Sequence, residues 1–134
     1  MALKYPLANG NWSTAGNWNG GTVPVLTDDV RANGFTVTLD VDIDVAQIAT
    51  VALAPAVAGG TFSVTANRNI TANINAGTTS CLTSTSAISV TVIGNINAGS
   101  NNAIHGISFT NAGSILNVTG NAVAGSSVNA QFGI

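Results

Sequence analysis

The chain has 134 residues, 46% of them hydrophobic and only 6% charged, with a formal net charge of −2. Lys4, Arg31 and Arg68 are its only basic residues, too few to follow a phosphate backbone, so no nucleic acid is expected as a partner. No run approaches the ~18 apolar residues of a membrane span, and the single cysteine, Cys81, cannot form an internal disulfide.

Ordinary domains carry roughly a quarter charged residues. A surface so poor in charge must be built from Ser, Thr and Asn, which suits strands and turns, and it implies faces covered by other chains. The opening Met1-Ala2-Leu3-Lys4-Tyr5-Pro6 lacks the basic region and apolar core of a signal peptide, so a cytoplasmic start is expected.

Residues 1–34 read as a segment apart. They are rich in Gly and Asn and hold both tryptophans, in Asn11-Trp12-Ser13 and in Asn17-Trp18-Asn19-Gly20-Gly21-Thr22-Val23-Pro24. Asn-Gly, Gly-Gly and Pro mark tight turns. Two tryptophans in so polar a stretch need an apolar surface, and the open end of a stack of coils supplies one. Trp12, Trp18 and Pro24 are therefore expected to form a cap or docking interface. A sugar-stacking platform is the alternative, without the clustered polar partners such a platform has beside it.

From Phe35 the pattern is that of a strand. Phe35, Val37, Leu39, Val41, Ile43 and Val45 alternate with Thr36, Thr38, Asp40, Asp42 and Asp44. Period two over this length predicts a half-buried ribbon, divided by a corner because strands rarely exceed ten residues. Ile48, Val51 and Leu53 extend the apolar pattern toward a second short strand. Ala54-Pro55-Ala56 belongs in a loop or at an edge, Gly59-Gly60 in a turn, and Phe62, Val64 and Ala66 resume the alternation.

The remainder repeats one phrase. Asn73-Ile74-Asn75-Ala76-Gly77 returns as Asn95-Ile96-Asn97-Ala98-Gly99 and again as Asn121-Ala122-Val123-Ala124-Gly125, at spacings of 22 and 26 residues. A second echo joins Ile104-His105-Gly106-Ile107 to Gln131-Phe132-Gly133-Ile134. Strands are predicted near 61–66, 69–75, 87–93, 95–97, 104–109, 115–119 and 121–123. Repeats of this size, β-rich and without a helical period, predict stacked coils too small to bury a core singly. The fold class is all-β: a parallel β-helix, or β-solenoid, of 22–26-residue coils over residues 35–134, with 1–34 as a Trp-containing cap. Like residues then stack about 4.8 Å apart, giving an amide ladder of Asn73, Asn95 and Asn121 and an apolar ladder of Ile70, Val92 and Val118. The last phrase stops in mid-coil, so the coils are expected to continue past Ile134.

Candidate chemistry is sparse. Asp40, Asp42 and Asp44 share one strand face about 6.8 Å apart and have the oxygen chemistry for Ca²⁺, but no glycine turn follows and a solvated acidic face is the better reading. Asp28 and Asp29 suit a turn, with Arg31 as a local partner. All five acids lie at or before Asp44, there is no Glu, and His105 is the only histidine, so no carboxylate pair, metal cluster or triad is assembled from the repeats. No catalytic residue, metal or cofactor is expected. Cys81 reads as a small buried hydrophobe.

A resemblance is carried by Gly10-Asn11-Trp12-Ser13, Gly16-Asn17-Trp18, Gly21-Thr22-Val23-Pro24, Asp28-Asp29-Val30 and Phe35-Thr36-Val37-Thr38-Leu39-Asp40. This opening resembles the start of β-helix regions in bacteriophage fibre and tail proteins, and secondarily the repeats of autotransporter-like bacterial surface proteins. The resemblance implies a parallel β-helix with a mechanical role, often trimeric. The expected protein is then a non-enzymatic virion component, a head fibre, decoration or tail fibre, assembled in the host cytoplasm. Its partners would be itself, as a homotrimer, other virion proteins, and a host-surface glycan. A secreted or surface carbohydrate-binding or adhesive module is the alternative, and a fragment of a polysaccharide-processing enzyme is a third.

Overall fold

The computed structural model describes residues 1–98 and 106–123. Among these, thirteen strands follow in order: β1 (Leu3–Lys4), β2 (Gly10–Asn11), β3 (Asp29–Arg31), β4 (Thr36–Thr38), β5 (Ile43–Ala49), β6 (Thr61–Ser63), β7 (Arg68–Asn75), β8 (Leu82–Ser84), β9 (Ser89–Ile93), β10 (Ile96–Asn97), β11 (Ile107–Phe109), β12 (Ile115–Thr119) and β13 (Ala122–Val123). They form a parallel β-solenoid of about four turns. One sheet runs β1-β3-β5-β7-β10-β13, with β9 beside β7 and β12 beside β9; the other runs β2-β4-β6-β8-β11.

Parallel register puts like side chains in columns. Val30, Ile48, Ile74 and Ile96 form one inward column of the first sheet, and Ile43, Ile70, Val92 and Val118 another. Val37, Phe62, Leu82 and Ile107 form the facing column of the second sheet. All but Val118 are buried, and they belong to one continuous core. Each such side chain stabilises the fold by roughly 1.5–3 kcal/mol through removal from water, a gain available only once the neighbouring coil is in place.

The stack begins earlier than residue 35. β1 pairs with β3 through Leu3↔Asp29 and Lys4↔Val30, and β2 pairs with β4 through Gly10↔Val37 and Asn11↔Thr38. Residues 1–34 thus supply the first rungs themselves. Paired positions lie as few as 18 residues apart (Asp29↔Gln47) and as many as 27 (Gly10↔Val37), a wider range than the repeated phrases suggest.

The long alternating run from Phe35 is divided at Asp40–Asp42, where Val41 turns outward and the chain passes from the second sheet to the first. β5 then carries a bulge between Asp44 and Gln47 relative to β7. Residues 53–56 form a tight excursion in which Leu53 and Ala56 pair antiparallel, outside both sheets as a proline requires.

A column of small residues marks the corner between β9 and β10. Gly94 adopts φ +151°, and a Cβ placed there would lie 2.1 Å from the carbonyl oxygen of Ala72 in the coil before. Gly120, at φ +148°, stands in the same relation to the carbonyl oxygen of Gly94. The backbones approach so closely at this corner that no side chain fits between them. The expectations placed on Gly99, His105, Gly125 and the echo at 131–134 lie outside the described residues.

Candidate functional site

The two tryptophans enter the core. Trp12 is 2% and Trp18 0% exposed, their rings meet edge to face with centroids 5.0 Å apart, and Trp12 lies 6.2 Å from Phe62. The Trp12 N–H donates to the carbonyl of Thr38 at 2.8 Å, so the chain at Trp12 continues the β2–β4 ladder. Neither ring is offered to a ligand, and a sugar-stacking platform on these residues is ruled out by their burial. Pro24 is buried as well.

Behind Trp18 the chain doubles back along β1. The Asn19 amide accepts from Tyr5 N–H at 2.7 Å and donates to the Leu3 carbonyl at 3.1 Å, and the Asn19 N–H donates to the Tyr5 carbonyl at 3.0 Å. Lys4, in the column headed inward by Val30, turns its ammonium to the carbonyls of Asn19 and Thr22 at 3.4 and 3.3 Å. Backbone and amide groups of residues 17–19 thus satisfy much of the outer edge of β1. On the same segment Leu7, Val25 and Leu26 are 57%, 62% and 62% exposed.

Asn73, Asn95 and Asn121 lie exposed on successive coils and are linked from one coil to the next. The Asn73 Oδ1 accepts from the backbone N–H of Asn95 at 2.9 Å, and the Asn95 Oδ1 accepts from that of Asn121 at 3.1 Å. The ladder is therefore side chain to backbone, each amide reaching up to the next coil. Ile70, Val92 and Val118 stack in register, the first two buried and Val118 38% exposed.

The carboxylates act as clasps between coils. Asp28 accepts from the N–H of Ala2 at 3.3 Å and of Val25 at 3.0 Å. Asp29 takes both the Nε–H and an Nη–H of Arg31 at 2.7 Å, and the Gln47 amide at 3.3 Å; Arg31 also donates to the Val51 carbonyl at 3.1 Å. Asp40 accepts the Ser13 N–H at 3.0 Å and the Ser13 hydroxyl. Partial burial opposes ionisation of Asp40, but the Ser13 bonds outweigh it and hold the carboxyl below its ordinary value. Asp42 accepts the backbone N–H of Asn69 at 2.9 Å and its side-chain amide at 3.1 Å, which also lower its pKa. Asp44 is exposed, and among the described residues no three His, Cys, Asp or Glu side chains converge as metal ligands. The Cys81 thiol is wholly buried, its pKa pushed up to about 12 by that burial, and it is inert as a nucleophile.

A concavity of about 290 Å³ opens where these clasps meet the first sheet. Asp42, Asn67, Arg68, Asn69, Ser89 and Thr91 line it, drawn from three successive coils. Arg68 is fixed by bonds to the carbonyls of Leu39 at 2.9 Å, Asp40 at 2.9 Å and Asn67 at 3.0 Å. The Asn67 Oδ1 accepts from the Ser89 N–H at 2.8 Å, tying the third coil to the fourth. Sequence reasoning singled out Asp42 of this group for another role; the rest are too far apart along the chain to be seen together. Against this geometry, no protein-family model, curated protein or solved structure matches the chain.

Proposed function

We propose that this chain is a non-enzymatic structural protein of a bacteriophage virion, a head fibre, decoration or tail-fibre component. The observation that carries the reading is the use made of the acids. Asp28, Asp40 and Asp42 each bond a residue 26 or 27 positions away, one coil along, so the groups an enzyme would use for chemistry stitch the stack together. Backbone ladders, apolar columns and side-chain clasps all run along one axis, which is the construction of a stiff rod.

The virion setting comes from the resemblance of the opening segment to phage fibre proteins. In this reading Trp12, Trp18 and Pro24 organise a cap on the first coil. The exposed Leu7, Val25 and Leu26 on the same segment are the surface that meets a capsid or tail subunit or a further copy of the chain, with a homotrimer as the assembly.

Native mass spectrometry of the intact chain tests this. A trimer or larger closed oligomer, weakened by Leu26→Ser together with Val25→Ser, is the expected result. A well-folded monomer at every concentration tried would sink the fibre and decoration reading.

A further inference from the structure

The walls of the polar concavity beside β7 are tied down by coil-to-coil bonds and still carry unused bonding capacity. Three of the five N–H donors of Arg68 are taken by carbonyls, which leaves two. The Asp42 carboxylate accepts two bonds, both from Asn69, and has lone pairs to spare. Among the described residues no hydrogen bond engages the hydroxyls of Ser89 and Thr91, both in its lining.

These leftovers define a ligand class. The lining has no aromatic or aliphatic wall, so an apolar molecule gains nothing by entering. Arg68 and Asp42 carry opposite charges, so the site favours neither an anion nor a cation. Donors and acceptors sit within one small hollow, so the matching ligand must accept and donate from neighbouring atoms. Adjacent hydroxyl groups do this, taking N–H bonds on oxygen and giving O–H to carboxylate. At about 290 Å³ the hollow lies at the small end of ligand sites.

We propose that this concavity binds a neutral polyol, the hydroxyl-bearing ring of a sugar residue, through Arg68 and Asp42 together with Ser89 and Thr91 of its lining. The wall residues are preorganised by the coil-to-coil bonds already described, so binding orders little of the protein. Each bond replaces one to water, so affinity for a single ring is weak, with dissociation constants on the order of millimolar. The inference is independent of the assembly state, since every lining residue belongs to one chain.

The test is a titration of the full chain with glucose, galactose, mannose, rhamnose and N-acetylglucosamine, followed by backbone amide chemical shifts. At least one sugar should produce saturable shifts centred on the amides of Asn69, Ser89 and Thr91. The double variant Ser89→Ala, Thr91→Val keeps the Ser89 N–H bond to Asn67 and should bind that sugar about ten-fold more weakly. Absence of saturable shifts with every sugar overturns the proposal, as do shifts centred elsewhere. The wild-type shift map decides the matter even if the variant folds poorly. An assembly that proves monomeric while these shifts appear would remove the virion reading and leave the sugar site standing.

Discussion

The indole N–H of Trp18 donates to the carbonyl of Trp12 at 2.8 Å while the two rings pack edge to face. Trp18 thus fills part of the core and at the same time fixes the loop that carries Trp12. Trp18→Ala should cost about 3–5 kcal/mol, the range for deleting a buried aromatic. Trp18→Phe keeps most of the packing but orphans the carbonyl, and should cost less than half as much. Urea unfolding of the two variants, followed by the fluorescence of Trp12, reads the difference; equal losses would show that the N–H bond is immaterial.

Gly94 should tolerate no side chain. A Cβ there meets the Ala72 carbonyl oxygen at 2.1 Å, and the φ of +151° is itself costly for any L-residue. Gly94→Ala is expected to destabilise by on the order of 3 kcal/mol or to abolish the upper coils. Gly16, with nothing within 4 Å of the same added atom, is the control: Gly16→Ala should stay within about 0.5 kcal/mol of the parent in thermal unfolding.

The asparagine ladder makes a prediction about charge. Asn73→Ala removes one exposed acceptor and should cost about 1 kcal/mol. Asn73→Asp keeps the acceptor and should be nearly neutral. Asn73→Asp combined with Asn95→Asp stacks two carboxylates about 4.8 Å apart, so the pair should be less stable than the sum of its parts, and added salt should relieve the excess. A strictly additive pair at low salt would mean that the two side chains do not stack in solution.

Acid should loosen the corner clasps. The folded pKa values of Asp40 and Asp42 lie below the ordinary 3.8, so each favours the folded state when ionised. That contribution is complete above the unfolded value and is lost as pH falls through the lowered folded value. Stability should therefore decline on acidification below about pH 4, and the double variant Asp40→Asn, Asp42→Asn should decline less steeply. Denaturant midpoints measured across that range give the answer; parallel curves for parent and variant would dismiss the two aspartates as the cause.

Much of the fold was legible because the repeated phrases keep their register. Ile70, Val92 and Val118 can be aligned by eye, and they stack in that alignment. The first coil was not legible because Lys4 and Gly10 stand where later coils carry Ile74 and Phe62, so the columns have no apolar match at their outer end. β8 was missed for a related reason: the inward-facing Ser84 interrupts the alternation beneath Phe109. The polar hollow is built across residues 42, 67–69, 89 and 91, and nothing in the sequence announces that such separated positions meet. Asp42 could be noticed as an acid on a strand face; its partner Asn69 could be found only once the coil length was fixed.

Unequal coils stacked rung on rung have a kinetic consequence. Each rung closes a loop of 18–27 residues onto the rung before it, so the same modest entropic step recurs along the chain and growth can proceed as a zipper from any formed pair. An interruption in mid-stack then severs the cooperative unit. A lesion at Gly94 should leave the earlier coils folded and let the later ones melt by themselves, turning one unfolding transition into two.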